Sequence, residues 1–292
     1  MGQVDVLAIW GEFMVGVSDD GARDGLRRVT PVRIGDVVFG LGSVPVIAGP
    51  CSVETDYVKH AVAAAEAGAT VLRGCVHKPR SWPDRFQGIG DAGLPLLAEA
   101  RAATGLPIIS EPLGEQDVER LVPYVHGFLI GTRSMYNSRL LQAVGRAGLP
   151  VILKRGFSAT YDEWLGAAHY IRAEGNEQVI LCERGIRTFN TEVRNTLDIS
   201  AIPVMRSLCD LPIIVDPSHA AGRREWVAPL ALAAVAAGAD GLIIEAHPDP
   251  DESWTDSRQA LHPHALKAII TSIDGWPSGF GEQVLQSAAS DV

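Results

Sequence analysis

Four residues whose side chains commonly bind metals follow or end short apolar runs of the sequence. Cys51 comes after "VPVIAG", His219 follows "LPIIVD", Glu245 lies in "GLIIEA", and Asp256 belongs to "SWTDSRQAL" further along. Taken singly, they could be an inert thiol, a hydrogen-bonded histidine and turn or strand-end carboxylates. Together, a thiolate, an imidazole and two carboxylates suit a divalent first-row ion. We therefore expect Mn²⁺, Fe²⁺, Co²⁺ or Zn²⁺ as the cofactor.

A second group of residues near the ends of such runs is basic. Its members follow four different runs: Arg73, Lys78, Arg80, Arg133, Lys154, Arg155, Arg184 and Arg187. Any one of them alone would be interpreted as a solvated surface charge. Convergent cations repel one another unless anions bind between them, and guanidinium and ammonium groups suit phosphate and carboxylate. The sequence therefore predicts a small-molecule ligand with more than one anionic group.

Eight apolar runs rich in β-branched residues could position both groups. They span residues 44–49, 70–75, 106–111, 127–132, 150–155, 178–183, 211–216 and 241–246. Continuous apolar character is typical of parallel strands buried on both faces. The stretches between them, such as 56–69 and 163–175, have the pattern of amphipathic helices. This alternation predicts an α/β fold, a (β/α)8 TIM barrel whose site lies at the C-terminal ends of the strands. A doubly wound sheet is the competing architecture.

The ends of the chain fall outside this alternation. We expect residues 1–43 to form an N-terminal extension, in which "VRIGDVVFG" (32–40) makes a small hairpin over one end of the barrel. The barrel is expected to span residues 44–275, and residues 276–292 should form a C-terminal tail.

Composition and charge exclude several classes of partner. The chain has 292 residues and a formal net charge of -10, which disfavours nucleic acid and anionic membrane surfaces as partners. Its four cysteines are far apart and form no CxxC pair, as expected in a reducing compartment. The N-terminus lacks the basic region of a secretory signal, and no apolar run is long enough to span a bilayer. We therefore expect a cytoplasmic protein with no membrane partner.

Longer motifs resemble those of 3-deoxy-D-arabino-heptulosonate 7-phosphate (DAHP) synthases, in the short type I form that is related to 3-deoxy-manno-octulosonate 8-phosphate synthase. They are "AGPCSVE", "RGCVHKPRS", "FQGIG", "LKRG", "GNEQVILCERGIRT", "RNTLDISAIP", "VDPSHAAGRR" and "ADGLIIEAHPDP". They occur in the family's order, and "GNEQVILCERGIRT" favours the heptulosonate branch. The resemblance implies a transferase that condenses phosphoenolpyruvate with erythrose 4-phosphate, the first step of the shikimate pathway. We also expect a homodimer or homotetramer.

The resemblance also implies a role for each matching residue. The metal ligands would be Cys51, His219, Glu245 and Asp256. The phosphoenolpyruvate phosphate would be held by Arg133, Lys154 and Arg184. Its carboxylate and reacting carbons would face Arg73 and Lys78, whereas the acceptor's phosphate would bind Arg80 and Ser81, and Thr132 is included among the substrate-binding residues. The catalytic residues would be Lys78, Cys51 and His219, with the pKa of Lys78 lowered by neighbouring cations so that it handles protons.

The sequence departs from the family pattern where the acceptor aldehyde should bind. Cys75, His77 and Trp82 stand in "RGCVHKPRSW", where the family usually reads "RGGA(F/Y)KPRTS", and Leu129 replaces an amide. Three hypotheses follow: a DAHP synthase, a paralogue that uses another aldose in a specialised pathway, or a catalytically weak barrel that acts as a partner, for example of chorismate mutase. The complete ligand set argues against the third hypothesis.

Overall fold

The computed structural model describes residues 27–274 and residue 276. Most of the predicted N-terminal extension, residues 1–26, and the predicted tail from residue 277 onward lie outside the described residues. The remaining chain contains a two-stranded hairpin followed by eight strands that alternate with helices. The limits proposed for the extension and the tail therefore stay predictions.

Eight parallel strands close into a barrel. After the hairpin strands β1 (Val32–Ile34) and β2 (Val37–Phe39), the barrel strands are β3 (Val46–Gly49), β4 (Val71–Arg73), β5 (Ile108–Ser110), β6 (Gly127–Ile130), β7 (Val151–Lys154), β8 (Val179–Glu183), β9 (Ile213–Val215) and β10 (Leu242–Glu245). Each strand pairs with its neighbours in the sequence, and β10 pairs with β3 so that Glu245 lies opposite Gly49. The predicted TIM barrel is confirmed, and the doubly wound sheet is excluded.

Helices follow the barrel strands and cover them. They are α1 (Tyr57–Glu66), α2 (Leu94–Thr104), α3 (Glu115–Leu121), α4 (Ser138–Ala147), α5 (Tyr161–Arg172), α6 (Ala201–Leu208), α7 (Pro217–Ala221), α8 (Val227–Ala236) and α9 (Pro263–Asp274). The start of α5 is fixed by a capping box in which Thr160 Oγ1 accepts from Glu163 N and the Glu163 carboxylate accepts from Thr160 N. Both helices predicted from the sequence, α1 and α5, are confirmed. Within residues 27–274, none of these helices is long and apolar enough to cross a membrane.

Successive strand residues face opposite sides of the barrel wall, and both sides are buried. One set of side chains fills the barrel interior: Ile47, Val71, Ile109, Leu129, Ile152, Ile180, Ile214 and Ile243. The intervening residues, for example Leu72 and Phe128, pack under the helices. Because side chains alternate along a strand, a residue two positions beyond an interior one also faces the barrel axis. This parity directs Arg73, Lys154 and Glu245 to the axis at the C-terminal end.

The hairpin closes the opposite end of the barrel. Val32, Ile34 and Phe39 belong to the same apolar cluster as the interior side chains. A Cβ at Gly241 would lie 2.9 Å from the Phe39 ring, and Gly241 directly precedes β10. The N-terminal ends of the strands are therefore sealed by apolar side chains, and the C-terminal ends are left as the accessible face.

Phe39→Ala should lower the free energy of unfolding by about 3–5 kcal/mol, because Phe39 is fully buried and its removal leaves a cavity at the base of the barrel. Denaturant unfolding of both proteins measures this difference. The matched control is Leu41→Ala beside the hairpin, because Leu41 is 61% exposed and its loss should cost less than about 0.5 kcal/mol. Equal losses in the two variants would contradict the sealing role of Phe39.

Candidate active site

A polar cavity of about 350 Å³ opens at the C-terminal ends of the barrel strands. Its lining contains most of the residues that the sequence singled out: Lys78, Arg80, Ser81, Thr132, Arg133, Lys154, Arg184, His219 and Asp256. Three further predicted residues, Cys51, Arg73 and Glu245, do not line the cavity but contact residues that do. The structure therefore gathers, at one end of the barrel, the twelve residues to which the family resemblance assigned a role.

The four predicted metal ligands form one cluster beside this cavity. Their ligand atoms all lie within 4.8 Å of one another. His219 Nε2 is central, at 3.5 Å from Cys51 Sγ, 3.2 Å from Glu245 Oε1 and 4.0 Å from Asp256 Oδ2. Metal–ligand bonds of about 2.0–2.3 Å require ligand atoms at about this separation. Small adjustments would bring the four atoms to a common ion.

The orientation of His219 fits a metal ligand. Its Nδ1 lies 2.8 Å from Asp216 Oδ2, within ion-pair distance but outside the angular range of a hydrogen bond. Its backbone N–H donates to Asp216 Oδ1 at 2.9 Å, which ties the residue to the same carboxylate. A carboxylate beside Nδ1 favours the tautomer with its proton there, and that tautomer leaves the Nε2 lone pair free for an ion. These contacts define Asp216 as the group that orients His219.

The pKa values of the predicted ligands are compatible with a bound metal ion. Burial raises the pKa of Cys51 well above its ordinary value, but a divalent ion deprotonates a thiol that it binds. Burial would also raise the pKa of Asp256, yet Lys78, His219 and Arg194 hold it below its usual range. Burial lowers the pKa of His219 to about 4, so the ring is neutral near pH 7. A neutral imidazole and an ionised carboxylate are the forms that bind metals.

Lys78 lies directly against this cluster. Its ammonium donates to Cys51 Sγ and is 4.0 Å from Asp256 Oδ2. Burial would lower the pKa of Lys78, but Cys51 and Asp256 raise it above its ordinary value. The predicted lowering of this pKa is therefore wrong, because the sequence showed the nearby cations but not Cys51 and Asp256, which lie closer. Both residues belong to the ligand cluster, so an ion bound there would offset their effect on Lys78.

Two predicted anion-binding residues are paired with buried carboxylates. Arg73 Nη2 lies 2.5 Å from Glu245 Oε1, and Arg73 Nε donates to Pro50 O at 3.3 Å. Lys154 Nζ lies 2.5 Å from Asp216 Oδ2. These pairs fix both cations in place, because each long side chain is held by a carboxylate on a neighbouring part of the barrel.

Several buried donors have no hydrogen-bond partner within the described part of the chain, and three of them belong to predicted substrate-binding residues: Arg73 Nη1, Arg184 Nε and Thr132 Oγ1. Buried polar groups are rarely left unpaired in folded proteins. Arg184 and Thr132 line the cavity, and Arg73 lies beneath it. Their unpaired donors therefore suit an anionic ligand in the cavity.

An aromatic ring holds several arginines at the edge of the cavity. The guanidinium carbons of Arg133, Arg184 and Arg187 lie 5.5, 5.0 and 4.6 Å from the centre of the Phe157 ring. Cation–π contacts at these distances orient guanidinium groups without neutralising them. Arg133 Nη2 also donates to Ser81 Oγ at 3.0 Å. The sequence analysis did not single out Phe157, and its position after β7 is the signal that could have found it.

Arg155 does not belong to the cationic lining. Its guanidinium lies 3.0 Å from Glu183 Oε2 and 2.7 Å from Asp198 Oδ2, and it stacks over Tyr161. By parity, Arg155 follows Lys154 and points away from the barrel axis. The sequence interpretation that placed it in the ring of cations is therefore wrong, and its role is structural.

Several polar residues of the site were missed by the sequence analysis. Glu111 lines the cavity and follows β5, so its strand-end position was a usable signal. Arg194 donates to Asp256 Oδ1 at 3.1 Å and to Gln259 Oε1 at 2.8 Å. Gln259 in turn donates to Glu245 Oε2 at 2.7 Å. Arg194 and Gln259 lie in long connections, where no pattern indicated their positions.

The residues that depart from the family pattern do not all reach the cavity. Trp82 lines it and is 69% exposed. Leu129 and Cys75 belong instead to the apolar interior of the barrel. The His77 ring lies 3.7 Å from Asp117 and is not part of the cavity lining. Of these four residues, only Trp82 lines this cavity.

The model of the DAHP synthetase I family matches residues 24–274 of this sequence. The chain belongs to that family. The matched segment includes the whole barrel and every predicted site residue.

Relatives within this family carry two kinds of name. A phospho-2-dehydro-3-deoxyheptonate aldolase from Thermotoga maritima is 45% identical over 257 residues, covering 87% of this chain and 76% of its own length. A 2-dehydro-3-deoxyphosphooctonate aldolase from Syntrophotalea carbinolica is 34% identical over 265 residues, covering 82% of this chain and 93% of its own. The greater identity lies with the heptonate branch, in agreement with the motif interpretation.

A crystal structure of the Thermotoga maritima DAHP synthase superposes with a TM-score of 0.80 at 42% identity. The alignment covers 90% of this chain and 74% of that one. A truncated form of the same synthase gives a TM-score of 0.78 at 40% identity, covering 90% and 94% of the two chains. The barrel of this chain therefore has the same fold as the solved structures of this DAHP synthase.

Cys51→Ala should weaken metal binding strongly, because it removes the thiolate from a four-ligand set. The bound metal per chain, measured after equilibration with Mn²⁺ or Zn²⁺ and desalting, should fall relative to the parent. Cys209→Ala is the control, since Cys209 is also buried but lies outside the cluster. Equal metal content in the parent and Cys51→Ala would contradict the ligand assignment.

Proposed function

We propose that this chain catalyses the condensation of phosphoenolpyruvate with erythrose 4-phosphate to give DAHP and inorganic phosphate. The observation that carries the proposal is a cluster of candidate metal ligands beside a cavity lined by cations, in a member of this family. Divalent-metal dependence is general in the family. The reaction needs both features, because it joins an anionic enol phosphate to an aldehyde.

The cations of the cavity suit phosphoenolpyruvate. Arg133, Lys154 and Arg184 would hold its phosphate, since all three line the cavity and Arg184 Nε has no partner among the described residues. Arg73 and Lys78 would face its carboxylate and reacting carbons. The unpaired Arg73 Nη1 supports this role, although Arg73 Nη2 is engaged by Glu245. Charge-assisted contacts of this kind orient the enol for attack.

The chemical step joins the methylene carbon C3 of phosphoenolpyruvate to the aldehyde carbon of the acceptor. A metal ion bound by Cys51, His219, Glu245 and Asp256 would polarise the aldehyde oxygen as a Lewis acid. Water then adds to C2, and the bond from C2 to the phosphate oxygen breaks, so that C2 becomes a ketone carrying the water oxygen. One water proton leaves with the phosphate, and the other replaces the proton given to the new alkoxide. Lys78 is the candidate for proton transfer to the new alkoxide, because its ammonium carries a proton and lies beside the ligand cluster.

The acceptor's phosphate would bind at the mouth of the cavity. Arg80 and Ser81 line that side, and the hydrogen bond from Arg133 to Ser81 connects it to the proposed phosphoenolpyruvate phosphate site. Trp82, next to Ser81, is the observation that favours a second candidate, the same condensation on a different aldose. A bulky indole at the mouth limits the shape of the acceptor and offers only a donor.

The hypothesis of a catalytically weak partner gains no support from this site. All four ligands and the predicted cations converge, whereas decay of the activity would leave some of them without a function. A homodimer or homotetramer stays a prediction.

Arg184→Ala should raise the KM for phosphoenolpyruvate by about 10- to 100-fold, since a lost charge-assisted contact costs about 1.5–3 kcal/mol. Steady-state kinetics with saturating metal and acceptor measure this change. Arg172→Ala on α5 is the control, because Arg172 is partly exposed and far from the cavity lining. An unchanged KM in Arg184→Ala would contradict the proposed phosphate site.

The identity of the acceptor is tested by incubating metal-loaded protein with phosphoenolpyruvate and a panel of phosphorylated and free aldoses. Mass spectrometry should detect DAHP as the principal product from erythrose 4-phosphate. Trp82→Ser should broaden the acceptors used without changing the KM for phosphoenolpyruvate, because Trp82 lines only the mouth. No product from erythrose 4-phosphate, with product from another aldose, would favour the second candidate.

A further inference from the structure

A second cluster of ionisable residues lies beside the ligand cluster and has no role in the reaction described above. Glu54, His60 and His247 are all buried, and their ligand atoms lie within 4.8 Å of one another. Glu54 follows Cys51 by three residues, and His247 follows Glu245 by two. Two histidines and one carboxylate could also be a metal site. Whether they bind an ion depends on which ring nitrogen of the histidine carries the proton.

The hydrogen bonds of His247 oppose a metal ion there. The backbone N–H of Asp249 donates to His247 Nδ1 at 3.0 Å, so the proton of the neutral ring lies on Nε2. His247 Nε2 is 3.4 Å from Glu54 Oε2 and therefore donates to that carboxylate. A metal-binding imidazole has the reverse arrangement, with an acceptor at its second nitrogen, as His219 has in Asp216.

Glu54 instead binds the segment that carries Asp256. Its Oε1 accepts from the backbone N–H of Trp254 at 3.0 Å. It also lies 3.3 Å from Ser253 Oγ, whose single proton it shares with Thr255 O at 2.9 Å. Ser52 Oγ adds a contact to Thr255 Oγ1 at 3.0 Å. The short segment after Cys51 therefore fastens residues 253–255, directly before Asp256. Hydrogen bonds thus connect the segment that follows Cys51 to the segment that precedes Asp256.

Asp256 needs such support because its backbone is strained. Within the described residues it is the one non-glycine residue with a positive φ, at 54°. This left-handed conformation is unfavourable for residues with a Cβ and persists where surrounding contacts fix it. Without those contacts, the Asp256 carboxylate would be held only by its side-chain contacts to Arg194 and Lys78, and the loop could relax away from the cluster.

We propose that Glu54 is a positioning residue that holds the 253–256 segment so that Asp256 reaches the metal-ligand cluster. This inference rests on the proposed metal site of the enzyme. Glu54 lies outside the cavity lining and the ligand cluster, and its donors come from His247, Ser253 and Trp254. The other ligands keep their own supports, such as Asp216 for His219.

Glu54→Gln tests the proposal in the full-length chain. The amide keeps the volume and one acceptor, but it places a donor opposite His247 Nε2. After chelation and titration with Mn²⁺ alone, the dissociation constant should rise by about 10- to 100-fold, as for other groups that orient ligands. Saturating Mn²⁺ should restore turnover, and the KM for phosphoenolpyruvate should be unchanged, because the cations that hold it are untouched.

Two further variants complete the experiment. Ser253→Ala removes a single donor and should weaken Mn²⁺ binding by about 2- to 10-fold, even if Glu54→Gln fails to fold. Asp240→Asn is the matched control, because Asp240 is a buried carboxylate that accepts from Ile213 N at the N-terminal end of the barrel. It should lower the melting temperature without changing the Mn²⁺ affinity.

Unchanged Mn²⁺ affinity in both Glu54→Gln and Ser253→Ala would overturn the proposal. So would an equal loss of affinity in Asp240→Asn, since the loss would then reflect general destabilisation. Two Mn²⁺ ions per parent chain and one in Glu54→Gln would make Glu54 a metal ligand instead. A parent chain that binds Mn²⁺ but forms no product would contradict the proposed function alone, whereas one that binds no metal would contradict both.

Discussion

Asp216 is the buried carboxylate that fixes the positions of His219 and Lys154, two residues that line the cavity. One of its oxygens accepts from His219 N, and the other lies 2.5 Å from Lys154 Nζ and 2.8 Å from His219 Nδ1. Burial would raise the pKa of Asp216, but His219 and Lys154 hold it well below its ordinary range. The carboxylate therefore stays ionised, and it fixes a proposed metal ligand and a proposed phosphate-binding cation together.

Other carboxylates of the site also contact more than one residue that is basic or a candidate metal ligand. Glu245 contacts both His219 and Arg73, and Asp256 contacts Lys78 and Arg194. Each carboxylate is thus a candidate ligand and also a counterion for a buried cation. This pairing explains how an acidic chain keeps many cations in one cavity without severe repulsion. A substrate with two anionic groups adds partners for donors that the protein leaves unpaired.

The sequence predicted the elements of this site well because they depend on local patterns. The apolar runs of the sequence marked where the strands end. Because side chains alternate along a strand, Lys154 faces the barrel axis and Arg155 faces outward, once it is known which residues of β7 face the interior. The errors share one cause. Lys78 was assigned a lowered pKa, and Leu129 and His77 were assigned to the acceptor pocket, although each prediction depended on neighbours from distant segments.

The sequence by itself determined the eight strands, the end of the barrel that carries the chemistry and the residue types gathered there, because strand period and burial are encoded over a few residues. Only the tertiary structure decided which charges are paired. The contact between Glu54 and Trp254 joins residues 200 positions apart, and the one between Arg73 and Glu245 joins residues 172 apart. Such contacts form because barrel closure brings β3 beside β10, so the distances that set acidity, tautomer and ligand geometry arise only after the chain has closed on itself.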